Sequence, residues 1–321
     1  MVSVRFEEAD ITVKEGSNLL EALLDAGHDI PNSCRAGACQ CCMLQATEGT
    51  PPADAQKGLK ETQKQQGYFL ACRCQPTTAM SVQRNAQVSS TEGILISKQQ
   101  LTDSVLQLKL KADIDYLAGQ YINLVRHDGL SRSYSIASVK NLDDHIELQL
   151  RIFKNGQFSQ WALNEFLLGE SIELQGPFGD CFYTKTDLNQ PILMAGTGTG
   201  LAPLYGIVRD ALQQGHTGPI SLFAGAKNSA GLYLVEELKA LSEHYENLTY
   251  YPVVIEETRS EPDSCEIGDL NAVVKNRVPN TKGYRAYFCG SEDRVKTLRK
   301  QTFLAGANMQ DIYCDLFTPS S

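Results

Sequence analysis

The sequence lacks what a nucleic-acid binder or a helical membrane protein needs. Lys and Arg total 29 against 38 Asp and Glu, a net charge of −9 over 321 residues. Such a balance supplies no basic surface to neutralise phosphates, so no nucleic-acid partner is expected. No apolar run approaches the ~18 residues of a membrane-spanning helix. The opening stretch, MVSVRFEEAD, has no basic segment followed by an apolar one. No secretory signal and no membrane association are therefore expected, and the chain is expected to be cytoplasmic. Internal repeats and low-complexity tracts are missing. His28, His127, His145, His216 and His244 show no paired spacing and are expected at the surface.

Cysteine, by contrast, is plentiful. Six of the ten cysteines fall between residues 34 and 74, and Cys181, Cys265, Cys289 and Cys314 are scattered. In a reducing compartment such clustering points to metal or redox work rather than disulfides. Cys34, Cys39 and Cys42 form C-x4-C-x2-C, with Cys72 following after 29 residues. This is the spacing of a plant-type [2Fe–2S] site, in which one tight loop brings most of the thiolates together. Ala36, Gly37 and Ala38 are small enough for backbone N–H groups to approach the cluster sulfurs. Cys41 and Cys74 are spare. Zinc is a competing reading, but it favours paired C-x2-C knuckles, and Cys72-Arg-Cys74 is a poor one. Buried thiols without metal are the plainest alternative.

Three segments differ in pattern. Residues 1–89 open with alternating Val2, Val4, Phe6 and then Ile11 and Val13, as in a hairpin. A helix over LLEALLDAG follows, with Ser17 expected as its cap and Gly27 as its end. AQVSSTEG (86–93) reads as a linker. Residues 90–187 alternate with period two, as in Val105, Leu106, Leu108, Leu110 and Ile146, Leu148, Leu150, Ile152, which suggests an antiparallel barrel. Residues 188–321 alternate apolar strand candidates (192–195, 220–225, 248–255, 284–290) with helix-like stretches. That pattern favours a parallel sheet covered on both faces. The expected architecture is thus multidomain, α+β and α/β.

CRAGACQCC and GYFLACRCQP together resemble plant-type ferredoxins. The resemblance implies a β-grasp fold and a [2Fe–2S] cluster held by Cys34, Cys39, Cys42 and Cys72.

Arg132-Ser133-Tyr134-Ser135 lies in a predicted barrel strand. A flavin needs an aromatic over its ring, donors for its polar edge and a cation for its pyrophosphate. Arg132 and Tyr134 share a strand face. A polar barrel strand would look the same taken alone. Downstream, Arg151, Gly156, Phe158 and Ser159 lie in RIFKNGQFSQW, where a glycine and a serine near a helix start suit a phosphate. Together the two segments resemble the flavin domain of the ferredoxin–NADP reductase family. This implies FAD bound by Arg132, Ser133, Tyr134, Ser135, Arg151, Gly156, Phe158 and Ser159. GPFGDCFY (176–183) resembles the end of that domain.

PILMAGTGTGLAPLYGIVRDAL (191–212) reads as strand, Gly-rich turn and helix, with Gly196, Thr197, Gly198, Thr199 and Gly200 in the turn and Pro203 near the helix start. Such a turn can also be purely structural. It resembles the pyridine-nucleotide domain of the same family, where it receives NAD(P)H. The resemblance extends to Cys289-Gly290, beside the nicotinamide in that family. The usual prolines and methionine are replaced here by Ser291, Glu292, Asp293 and Arg294. Phe317 in the tail IYCDLFTPSS stands where relatives carry an aromatic near the flavin or the C-terminal edge. Glu256 and Glu257 follow the third strand candidate and would repel a 2′-phosphate, whereas Lys227 could accept one. NADH is the expected donor.

The order ferredoxin, flavin barrel, nucleotide domain resembles the reductase components of bacterial multicomponent oxygenases, such as the benzoate and naphthalene dioxygenase systems. It implies electrons passing from NADH through FAD and the cluster, one at a time, to a terminal oxygenase or hydroxylase docking near the cluster. No general acid or base is assigned. The iron–sulfur flavoprotein reductases of deoxysugar synthesis share all three modules and form one rival reading. A redox-sensing subunit without sustained turnover is the other.

Overall fold

The computed structural model describes residues 1–14, 16–30, 37, 42–84, 90–256 and 265–317. The chain divides into two compact units, Met1–Val88 and Ser89–Ser321.

The first unit has strands β1 (Val2–Phe6), β2 (Ala9–Val13), β3 (Met43–Glu48), β4 (Tyr68–Leu70) and β5 (Met80–Gln83), with helices α1 (Leu19–Asp25) and α2 (Glu61–Gln65). Among the described residues they form one sheet in the order β2-β1-β5-β3-β4. β1 and β2 pair as the expected hairpin, Val4 opposite Ile11, while β1 runs parallel to β5. Val4, Phe6 and Val13 bury one face of the hairpin against Leu19, Leu20 and Leu23 of α1. The cap of α1 is Asn18 rather than Ser17: its side chain accepts from the Leu20 amide at 2.9 Å. Both residues can cap, so the sequence alone left the boundary one residue ambiguous. Gly27, at φ +86°, takes the left-handed position after the helix.

The second unit starts with a barrel. Its strands are β6 (Ser90–Thr102), β7 (Val105–Lys111), β8 (Tyr121–Val125), β9 (Ser131–Ser135), β10 (Ile146–Arg151) and β11 (Ser171–Phe178). The order is β10-β7-β6-β11-β8-β9, with every pair antiparallel. A bridge between Ile136 and Leu148 brings the end of β9 to β10 and closes the sheet. Leu106, Leu108, Leu110, Leu148 and Leu150 fill the interior. Helix α3 (Gln157–Asn164) follows β10.

A parallel sheet completes the unit, from β12 (Ile192–Thr197), β13 (Ile220–Ala226), β14 (Leu248–Val254), β15 (Glu266–Ile267), β16 (Arg285–Ser291) and β17 (Ile312–Phe317). Helices α4 (Leu201–Gln213), α5 (Val235–His244), α6 (Leu270–Arg277) and α7 (Glu292–Leu304) connect them. The order β15-β14-β13-β12-β16-β17 places a switch point at β12. In open parallel sheets ligands bind outside the carboxyl ends of the strands at such a point. Barrel and sheet pack closely. A Cβ built on Gly206 of α4 would sit 3.0 Å from the Ala137 carbonyl of the barrel. Arg209 of α4 also makes a two-pronged contact with Asp143, at 2.9 and 2.8 Å, with both side chains largely buried.

Candidate functional site

In the first unit, Cys42 and Cys72 are both buried in the core, 3% and 6% exposed. The Ala71 amide donates to the Cys42 carbonyl at 3.0 Å, and the Asn18 amide holds the Cys72 carbonyl. The cap of α1 therefore also fixes the segment carrying Cys72. Gly37, at φ +83°, has Arg73 Cγ only 3.1 Å from where a Cβ would lie, so Gly37 itself packs against this segment. Burial, reinforced by the neighbouring Cys72 sulfur, pushes the Cys42 thiol up to about 11. Two adjacent buried sulfurs ionise together only when cations balance them, which is what the irons of a cluster supply. Cys74 is fully buried in the core, and burial pushes its thiol up to about 12. Cys34, Cys39 and Cys41 lie outside the described residues.

In the barrel, Arg132 and Tyr134 share one face of β9, opposite Leu124 and Ile122 of β8. Tyr134 is half-buried and rests on Phe158, ring centroids 5.6 Å apart. Burial pushes its phenol up strongly, while the Arg132 guanidinium pulls the other way. Among the described residues no carboxylate pairs with Arg132. The Arg132 Nη1 donates to the Ser131 carbonyl at 2.8 Å; a half-buried aromatic face beside a guanidinium that no carboxylate neutralises suits a flavin and its pyrophosphate. Ser133 faces away, and its hydroxyl donates to Asn123 at 2.6 Å, leaving only its backbone for a ligand. Gly156 caps α3, and a Cβ there would lie 2.5 Å from Ser159 Oγ. The Ser159 hydroxyl accepts from the Phe153 amide at 3.1 Å and donates to the Gly156 carbonyl at 3.3 Å. Ser159 therefore shapes the turn, and the first amides of α3 are left to meet a phosphate.

The glycines of the nucleotide turn divide the work. A Cβ on Gly200 would lie 2.2 Å from the Cys289 carbonyl, and one on Gly196 2.8 Å from the Gly200 carbonyl. These two let the strand, helix and Cys289 close-pack. Gly198, at φ +54°, opens to a cleft of about 430 Å³. Thr197 and Thr199 line the cleft beside it, with Lys227 further along. Tyr233 pins the turn: its hydroxyl donates to Gln149 Oε1 at 2.7 Å, with the Gly198 carbonyl 3.2 Å away sharing the same proton. Pro203 is buried in the first turn of α4 and serves the helix start. Arg151, assigned above to the flavin, lines this cleft, its Nη1 3.8 Å from a Cβ built on Gly198. Lys227 pairs with Glu256 at 3.3 Å on the exposed rim, and the Lys227 carbonyl accepts from the amides of Ile255 and Glu256 at 3.2 and 3.0 Å. Glu257 lies outside the described residues.

Flavin strand and nucleotide sheet meet at one point. Cys289 of β16 stands opposite Asp315 of β17 in register, and the Ser135 hydroxyl donates to Asp315 at 2.7 Å. Burial pushes the Asp315 carboxyl up against the pull of Ser135. The Cys289 side chain is buried, its Sγ 3.9 Å from that of Cys181. Gly290, at φ +129°, packs on Thr197. Phe317 ends β17 opposite Ser291. Sequence reading missed Asp315, Tyr233 and Gln149. The only signal for Asp315 was its place in the tail.

Known proteins fit this arrangement. The family model for the 2Fe-2S iron-sulfur cluster binding domain matches residues 4–77, that for the oxidoreductase FAD-binding domain 92–183, and that for the oxidoreductase NAD-binding domain 194–300. The chain is 30% identical over 319 residues to the ferredoxin–NAD(P)(+) reductase component of a naphthalene 1,2-dioxygenase system from Pseudomonas putida, covering 96% of each. The chain belongs to the ferredoxin–NAD(P) reductase family. It is 29% identical to the reductase subunit of an aromatic O-demethylase from Amycolatopsis, covering 97% of each. Among solved structures, an Amycolatopsis cytochrome P450 reductase superposes over all of both chains with a TM-score of 0.70 at 26% identity. The reductase is an iron–sulfur flavoprotein oxidoreductase with sites for [2Fe–2S], FAD and NAD. No helix among the described residues is long and apolar enough to cross a membrane.

Proposed function

We propose that this reductase takes electrons from NADH, in preference to NADPH, and delivers them singly to a terminal oxygenase or hydroxylase that docks near the cluster. The observation that carries the reading is the convergence of Ser135, Cys289 and Asp315, which joins the end of the flavin strand to the nucleotide sheet. When bound, FAD supplies the change from two-electron to one-electron transfer that joins a nicotinamide to a [2Fe–2S] cluster. The chain's own residues bind and orient. Arg132 and the start of α3 suit the flavin pyrophosphate, and Tyr134 suits the ring. The Gly198 turn and Arg151 suit the nucleotide phosphates, while Asp315 accepts from the Ser135 hydroxyl and ties the flavin strand to the nucleotide sheet. Geometry rather than acid–base chemistry carries most of the rate. Relatives named for naphthalene dioxygenase, aromatic O-demethylase and phenol 2-monooxygenase systems support an oxygenase as acceptor. A cytoplasmic location belongs to this proposal.

The test uses the full holoprotein. Cys72→Ser should abolish the visible cluster spectrum and cytochrome c reduction while leaving NADH–ferricyanide activity. Cys74→Ala should keep all three. Alanine is used because a serine hydroxyl at that fully buried position would cost about 1–3 kcal/mol. An oxygenase turned over equally well by Cys72→Ser would overturn the cluster as exit.

A further inference from the structure

Directly after Cys289-Gly290 the chain departs from the pattern of the family it resembles, and Arg294 is the cationic residue of that departure. Arg294 lies in the first turn of α7 and lines the nucleotide cleft. Its Nη1 donates to Oδ2 of Asp269 at 2.8 Å. Asp269 is the N-cap of α6, and its other oxygen accepts from the Asn271 amide at 3.0 Å and the Ala272 amide at 3.4 Å. Burial pushes this carboxyl up, but Arg294 and the capping amides outweigh it and hold the group below the ordinary carboxylate range. The charge of Asp269 is therefore shared between one guanidinium N–H, two amides and the positive end of a helix. It orients Arg294 while occupying a small part of its donor fork. Among the described residues the remaining N–H groups of Arg294 have no protein acceptor.

The same cleft is lined by the Thr197–Gly198 turn and Arg151. A dinucleotide lying in the cleft would bring two charged phosphates among these residues. A planar guanidinium matches phosphate oxygens two at a time and keeps its charge at all working pH values, which the apolar residues of the usual pattern cannot do. We propose that Arg294, positioned by Asp269, binds the pyrophosphate of the nicotinamide dinucleotide. The proposal rests on the nucleotide-cleft reading above and adds to it a binding residue on the α7 wall.

The full-length holoprotein carrying Arg294→Met or Arg294→Lys is assayed with NADH and NADPH, ferricyanide as acceptor, and with ADP-ribose and adenosine as competitive inhibitors. Arg294→Met should raise KM for both nucleotides by about tenfold or more, with kcat nearly unchanged. The inhibition constant of ADP-ribose should rise in parallel while that of adenosine stays put, and Arg294→Lys should recover part of the loss. Unchanged KM and ADP-ribose inhibition would overturn the proposal. A loss confined to NADPH would also overturn it, because the contact would then be to the 2′-phosphate. Equal weakening of adenosine and ADP-ribose would mean a collapsed cleft and overturn it too. If ADP-ribose does not compete with NADH in the unaltered protein, the cleft reading itself fails.

Discussion

The Ser135 hydroxyl donates a 2.7 Å hydrogen bond to Oδ2 of Asp315, across 180 residues of chain. One end of that bond is the last residue of the flavin strand and the other lies beside Cys289 in the nucleotide sheet. Asp315 is a carboxyl whose proton is held more tightly than usual, because burial outweighs the Ser135 bond. Asp315→Asn alters the contact that joins the flavin strand to the nucleotide sheet, and should slow NADH–ferricyanide turnover on the order of tenfold through lost positioning while FAD is retained. Stability should move the other way. A carboxyl with a raised folded pKa stabilises the fold below its unfolded pKa, and that contribution is lost as pH rises through the folded value. At neutral pH, Asp315→Asn should raise Tm by a few degrees, and the difference should vanish in acid. Thermal melts at both pH values check this, and a lower Tm at neutral pH would contradict it.

Arg132 and Arg151 lie on different surfaces, and we propose that they serve different cofactors. Arg132 shares a strand face with Tyr134, whereas Arg151 lines the cleft beside Gly198. Arg132→Ala should weaken FAD retention by about 1.5–3 kcal/mol, a charge-assisted contact. Arg151→Ala should leave FAD in place and raise the KM for NADH. Flavin content after gel filtration, measured alongside KM, distinguishes the two. Flavin loss in Arg151→Ala would return that residue to the flavin.

The rim pair Lys227–Glu256, 3.3 Å apart, bears on nucleotide choice. Both side chains are more than half exposed, so the pair holds loosely and screens easily. Glu256 would repel a 2′-phosphate, and it engages Lys227, which could otherwise receive one. NADH should have the higher kcat/KM, and Glu256→Arg should narrow the gap. Equal kcat/KM values for the two nucleotides in the unaltered protein would show that neither residue discriminates.

His216 was expected at the surface and is instead 4% exposed, with Nδ1 3.1 Å from the Tyr183 hydroxyl. Burial lowers its pKa, and Arg285 lowers it further. The folded chain thus favours the neutral ring. Stability is complete above the unfolded imidazole value and falls as pH drops through and below it, where the unfolded chain takes up the proton first. Tm should decline below about pH 6.5, and His216→Gln should flatten that decline.

Spacing and periodicity were enough for the three modules, because the signals are local. The hairpin of β1 and β2, the leucines of α1 and the alternation of β7 and β10 each repeat within one element, where side-chain direction follows backbone geometry. The cluster spacing and the Gly-rich turn are likewise short and contiguous. Where a decision turned on one residue, locality failed: Ser17 and Asn18 can both cap, and packing beside Cys72 selected Asn18. Arg151 reads as a flavin residue by adjacency to Gly156, and only the tertiary structure shows its Nη1 beside the nucleotide turn as well, 3.8 Å from a Cβ built on Gly198. The division of labour among Gly196, Gly198 and Gly200 depends on what packs against each, which no spacing encodes. Asp315, Arg294 and Asp269 acquired partners through the sheet order β13-β12-β16-β17 and the docking of α6 on α7. Such contacts join residues far apart in the chain, and their strength depends on burial. The chain by itself determined the modules, and only the tertiary structure decided which of its charges face one another.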